Sequence, residues 1–201
     1  QICDIRDICA NATKIKEDSN NPWAWVGLIL TLIGLFPVLG SLFKGVFKVI
    51  LAPIRRFMLK PATKGLKFTG GNIYKFAEPA IESGITELNK FLARPAVKKA
   101  IKNAKITNIY KATASKIREV KGMLTKQALL GVFDKLVGYL RDTVKFIDKY
   151  ASKAIGVKAR QMLQTVIDVR NLANQKLGEF LKPVQDFLER LAVRIGFVAQ
   201  T

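Results

Sequence analysis

Residues Pro22–Phe43 read PWAWVGLILTLIGLFPVLGSLF, 22 residues without a charged side chain. As one helix, at ~1.5 Å per residue, they would reach about 33 Å, against a hydrocarbon layer of about 30 Å. Asn21 and Pro22 supply a helix start, a capping side chain followed by a proline at the first helical position. From Trp23 to Phe36 the pattern is apolar on all sides. Pro37 breaks it, either as a kink or as a short connection between two helices. From Val38 to Leu59 the character changes. Leu42, Val46, Val49 and Ile50 share one helical face and Lys44 and Lys48 the other, so this second half is amphipathic, with a bend or an end expected at Pro53.

Two environments accept such a hairpin: a bilayer, or the centre of a helical bundle. For the bilayer, Trp23 and Trp25 sit at one end, where aromatic residues favour the membrane–water interface. Gly27, Gly34 and Gly40 allow close helix approach, with Gly27 and Gly34 on nearly one face. Lys44, Lys48, Arg55 and Arg56 would hold the other end at an anionic surface. Leu28, Leu30, Ile33, Leu35, Pro37, Leu42 and Phe43 complete the surface expected to meet lipid or a sequestering partner.

Outward from the hairpin the chain reads as helix throughout. A short helix is expected over Cys3–Ile15, then a turn to Pro22. Cys3 and Cys9 would lie about 9 Å apart along that helix and on different faces, too far for a disulfide, so reduced thiols are expected. Lys60–Gly71 reads as a loop. Apolar spacing then predicts a helix over Ile73–Phe91, bent near Pro79 and Gly84 and broken at Arg94–Pro95. Further helices follow: one ending near Lys126, one over Ala128–Tyr150, and one around Ala159–Val169. A last helix carries a heptad seam, Leu177, Leu181, Val184, Leu188, Leu191 and Ile195, with a bend or a start at Pro183. The seam suits packing inside a bundle better than an intermolecular coiled coil. The fold class is all-α, a multi-helix bundle with an N-terminal apolar helical hairpin. Its parts are a short helix and turn at 1–21, the hairpin at 22–60 and a basic helical region at 72–201.

Charge is uneven. The chain carries +19 over 201 residues, yet residues 1–43 hold three basic side chains against four acidic ones. From Lys44 to Lys75 there are eight basic residues and no acid. Such a field attracts anionic lipid, nucleic acid or acidic protein. Nucleic acid is disfavoured, because aromatics are not interleaved with the basic residues and no recognition motif stands out. With no histidine in the chain, the usual general base and the commonest metal ligand are missing. The acidic residues are scattered among lysines as surface ion pairs are. Neither a phosphate-binding loop nor a nucleophile elbow occurs. No enzyme activity, metal site or cofactor is expected. The apolar stretch is too long, and its preceding flank too acidic, for a cleavable signal peptide. The opening at Gln1, without Met, reads as a piece of a longer protein.

The stretch NPWAWVGLILTLIGLFPVLGSLFKGVFKVIL resembles the pretoxin apolar hairpin of bacterial polymorphic toxins, above all type VI secretion effectors of the Rhs and PAAR-containing kinds. The likeness lies in the Asn-Pro start, the turn Gly34-Leu35-Phe36-Pro37-Val38-Leu39-Gly40 and the helix start Lys44-Gly45-Val46-Phe47-Lys48-Val49-Ile50. Neither a PAAR motif nor Rhs repeats occur. The resemblance implies a non-catalytic delivery region, made in a bacterial cytoplasm and secreted into a target cell. It would dock on a secretion spike protein or a chaperone. It would then engage an anionic membrane to help a toxin domain of the same parent protein across. The alternatives are a colicin-like pore former, in which basic amphipathic helices cover an apolar hairpin, and a purely structural docking module.

Overall fold

The computed structural model describes residues 2–59 and 67–199. Among them lie eight α-helices, one 3₁₀ turn and no strand, the all-α bundle that the apolar periodicity calls for. The helices are α1 (Ile2–Glu17), α2 (Pro22–Ile33), α3 (Gly40–Met58), α4 (Gly70–Leu92), α5 (Pro95–Asn103), α6 (Ile109–Gly122), α7 (Lys126–Tyr150) and α8 (Lys153–Gly196). Side-chain caps begin most of them. Asn21, Thr69, Asn108, Thr125 and Ser152 each accept from a backbone N–H of the first turn, which satisfies donors that a helix start leaves open.

The hairpin is not one span. α2 ends at Ile33, and Gly34–Phe36 leads into the 3₁₀ turn Pro37–Leu39. Gly40 then opens α3 with φ 67° and ψ 176°, a region that only glycine enters without strain. No atom lies within 4 Å of where its Cβ would be. Gly40 is therefore needed for the turn and not, as expected, for helix approach. α2, at 12 residues, spans ~18 Å. The stretch Pro37–Met58 is the one described helix long and apolar enough to cross a membrane, and 44% of its most apolar window is already buried.

Three prolines lie within helices that continue past them. α3 runs through Pro53 to Met58, α4 through Pro79 to Leu92, and α8 through Pro183. The two helices expected around Ala159–Val169 and from Leu177 are one helix of 44 residues. α8 is the spine. It packs against α1, α2, α4, α6 and α7, while α3 packs on α4. The heptad seam faces inward: Leu177, Val184, Leu188, Leu191 and Ile195 are buried and Leu181 half-buried. The core is continuous from Ile8 in α1 to Ile195 in α8, so the hairpin and the basic helical region share it. Of the expected loop, Lys67–Thr69 is non-helical and 60–66 lie outside the described residues.

One close approach fixes the position of α4. At Gly84 a Cβ would lie 2.7 Å from the carbonyl oxygen of Ile50, so α3 and α4 meet backbone to backbone there. α5 ends in a left-handed Lys105, φ 57°. The Ile106 N–H donates to the Ile101 carbonyl at 3.2 Å, the closing bond of a Schellman end.

Candidate functional site

α2 is enclosed. Every residue from Trp23 to Ile33 is buried, and the helix packs against α1, α3, α7 and α8. Trp23, Trp25, Leu28, Leu30 and Ile33 thus point into protein, not toward a surface. Trp25 stacks on Phe180, centroids 6.0 Å apart, and its Nε1–H donates to the Ser19 carbonyl at 2.8 Å. Trp23 packs against Phe76 at 4.9 Å and edge-on to Phe68 at 5.6 Å. These partners lie some 45 to 155 residues downstream, beyond any local pattern. Fully burying one Leu or Ile is worth roughly 1.5–3 kcal/mol, so α2 is the densest apolar store in the fold.

The α1 side of α2 carries a polar seam. Asn11 Nδ2 donates to Thr31 Oγ1 at 2.9 Å, and Thr31 Oγ1 donates to the Gly27 carbonyl at 3.0 Å. Asn11 Oδ1 is buried without a partner. A Cβ on Gly27 would come 2.8 Å from that oxygen. Gly27 therefore seats α1, as a helix-contact glycine should. Gly34 caps α2, and a Cβ there would meet the Thr31 and Leu30 carbonyls at 3.5 and 3.9 Å and the Arg55 guanidinium of α3 at 3.9 Å, ordinary contact distances. An unsatisfied buried oxygen costs about 1–3 kcal/mol, which offsets part of what the α1–α2 contact contributes.

The turn between α2 and α3 reaches the surface. Pro37 and Gly40 are exposed, Leu35 and Leu42 half-buried, and Phe43 buried. Lys116 of α6 clamps this turn. Its ammonium donates to the Val38 carbonyl at 3.4 Å, lies 5.6 Å from the Phe43 ring centre, and pairs with Glu119 at 3.3 Å. Nothing in the local sequence around Lys116 announces this contact.

The expected cationic collar is divided. Lys44, Lys48 and Arg56 are exposed. Arg55 is not a surface group. Its side chain is 6% exposed and its Nη2 donates to Asp7 at 3.0 Å, so this arginine joins α3 to α1. The helical phase explains the correction. Arg55 follows Phe47, Ile50, Leu51 and Ile54 onto the buried face, while Arg56 turns outward.

α8 is fastened to its neighbours by ion pairs along its length. Lys16 of α1 meets Asp168 at 2.7 Å, and Asp134 of α7 meets Arg170 at 2.5 Å. Arg118 and Lys121 of α6 both reach Glu189, at 3.1 and 2.6 Å, and Glu82 of α4 meets Arg194 at 2.8 Å. Hydrogen bonds from Arg170, from Lys16 and Gln164, and from Arg118 and Lys121 hold the carboxyls of Asp134, Asp168 and Glu189 below their ordinary range. Glu119, Asp134 and Asp148 do sit in surface ion pairs with basic neighbours. Exposed pairs of this kind contribute little each and weaken in salt.

Cys9 is half-buried and unpaired by disulfide, and burial pushes its thiol pKa up; the Cys3 thiol lies outside the described side chains. Among the described residues no three His, Cys, Asp or Glu side chains cluster as a metal site would need. The groove between α4, α5 and α6, lined by residues such as Lys98, Ile101 and Tyr110, receives no carboxylate or thiol. The arrangement can store apolar surface and present positive charge. Comparisons with family models, with curated proteins and with solved structures find no match for the chain.

Proposed function

We propose that this chain is a non-catalytic delivery region of a secreted antibacterial effector, which keeps the α2–α3 hairpin covered until it meets an anionic membrane. The observation that carries the reading is α2: a charge-free helix, buried over Trp23–Ile33, among four helices of which α3, α7 and α8 carry net positive charge and α1 none. The coverage is of a kind that an anionic surface can loosen. The fastenings of α8 are exposed ion pairs, and lipid phosphates compete with Glu82, Asp134, Asp168 and Glu189 for the same cations. The polar seam at Asn11 lowers the cost of parting α1 from α2. Docking on a spike or chaperone, manufacture in a bacterial cytoplasm and a toxin domain elsewhere in the parent protein rest on the sequence resemblance of the hairpin.

Length favours delivery over pore formation. A helix of ~18 Å falls short of a ~30 Å hydrocarbon layer, so α2 suits shallow entry or passage beside a partner better than a stable two-helix pore.

A reversible lock tests the reading. In a Cys3→Ser/Cys9→Ser background, Asn11→Cys with Gly27→Cys tethers α1 to α2 when oxidised. With vesicles of equal phosphatidylcholine and phosphatidylglycerol, brominated lipid should quench Trp23 and Trp25 in the reduced chain and not in the oxidised one, without release of trapped dye. Dye release by the reduced chain would replace delivery with pore formation. Absence of quenching in both forms would leave a structural docking module whose hairpin stays in protein.

A further inference from the structure

Between Val144 and Val166 the only buried residue is Gly156. The end of α7 and the first turns of α8 therefore stand clear of the body as a two-helix tip. From Lys153 to Gln161, before Met162 meets α1 and Leu163 the core, it reaches about 12 Å. The tip is built, not frayed. Arg160 pairs with Asp148 across it, Gly156 lets α8 come against the Asp148 carboxylate, and Ser152 caps α8.

Its surface combines two chemistries. Phe146 is 64% exposed, Tyr150 66% and Ile155 53%. Phe146 and Tyr150, one turn apart, hold their rings 4.7 Å apart, and the Lys149 ammonium lies 5.4 Å from the Tyr150 ring centre. Around them stand Lys145, Lys149, Lys153 and Lys158, all exposed. The single acid from 145 to 160, Asp148, is already paired. Exposed large apolar side chains that cluster mark an interaction site.

We propose that the α7–α8 tip is a docking surface for an anionic lipid bilayer, with Phe146, Tyr150 and Ile155 seated at the headgroup level and the four lysines against lipid phosphates. Protein interfaces deplete lysine at their centres, whereas lysine with aromatic residues is the composition of the membrane interface. This contact leaves α2 in place, so it stands apart from release of the hairpin.

The test uses the full chain and sedimentation with vesicles. Phe146→Ser with Tyr150→Ser should weaken binding to equal phosphatidylcholine and phosphatidylglycerol at least tenfold. Lys149→Gln, Lys153→Gln and Lys158→Gln together should weaken it by about fivefold for each charge removed, with a shallower salt dependence. All five positions are exposed, and unchanged melting verifies that the variants fold. A dye on Tyr150→Cys, in the Cys3→Ser/Cys9→Ser background, should shift to the blue on these vesicles. The oxidised lock described above should still sediment with vesicles, which separates failure of docking from failure of release. Equal binding to pure phosphatidylcholine, or unaltered binding by the serine variant, overturns the proposal. So does self-association that the serine variant abolishes in a chain indifferent to both vesicles, which would make the tip a contact between copies.

Discussion

Gly84→Ala offers a direct reading of the α3–α4 contact. The added Cβ would meet the Ile50 carbonyl oxygen at 2.7 Å and its carbonyl carbon and Cα at 3.4 Å. The obstacle is backbone, so no side-chain rotation relieves it and the helices must part by several tenths of an ångström. Overpacking of this kind costs about 1–3 kcal/mol. Alanine also returns ~1 kcal/mol of helix propensity, which masks part of the cost. Gly138→Ala removes the ambiguity, because nothing lies within 4 Å of its Cβ and it receives only the propensity gain. The difference between the two variants isolates the contact at about 1–3 kcal/mol, or roughly 2–12 °C in melting temperature for a chain of this size. Calorimetry on both variants measures it. The packing argument is refuted if Gly84→Ala melts at or above Gly138→Ala. A loosened α4 should also speed quenching of Trp23 and Trp25 by brominated vesicles, since α4 lies over the hairpin's second helix.

Two further expectations concern charge. Asp7→Asn removes the Asp7 carboxylate from the Arg55 guanidinium, 6% exposed, and should cost about 1.5–3 kcal/mol in urea unfolding; a loss near zero would show that this pair does not hold α1 to α3. Asp134, Asp168 and Glu189 have folded pKa values below the ordinary 3.8 and 4.5, so their stabilisation is complete above those values and disappears as pH falls through the lower, folded ones. The urea midpoint should drop as pH falls below about 4.5, and the combination Asp134→Asn, Asp168→Asn and Glu189→Gln should flatten that acid limb; an acid limb as steep in the triple variant would refute the assignment.

The helices were legible because apolar spacing is a local property. α4, α6 and α7 begin and end within a few residues of where the pattern places them, and Arg94–Pro95 does separate α4 from α5. Of the outcomes open at Pro53 and Pro183, an end at the first and a start at the second do not occur. Pro53, Pro79 and Pro183 remove a hydrogen bond, yet tertiary packing of the flanking turns carries each helix past. The surroundings of α2 were hidden for a different reason. Phe68, Phe76 and Phe180 meet the tryptophans only through the path of the chain, and the hairpin's own composition suits lipid and protein interior equally. Arg55 could have been found: the phase of Phe47, Ile50, Leu51 and Ile54 points it inward, and Asp7 is one of the few acids in the N-terminal segment.

The 44-residue spine has a bearing on how the molecule comes into being. α8 leaves the ribosome after the seven other described helices and is one of the four walls around α2. At ~5–20 residues per second, the roughly 160 residues that separate Ile33 from the end of α8 take about 8–30 s to synthesise. For that interval the tryptophan-bearing helix has no permanent roof. A nascent chain of this design would profit from a holdase that leaves once translation has supplied the missing wall.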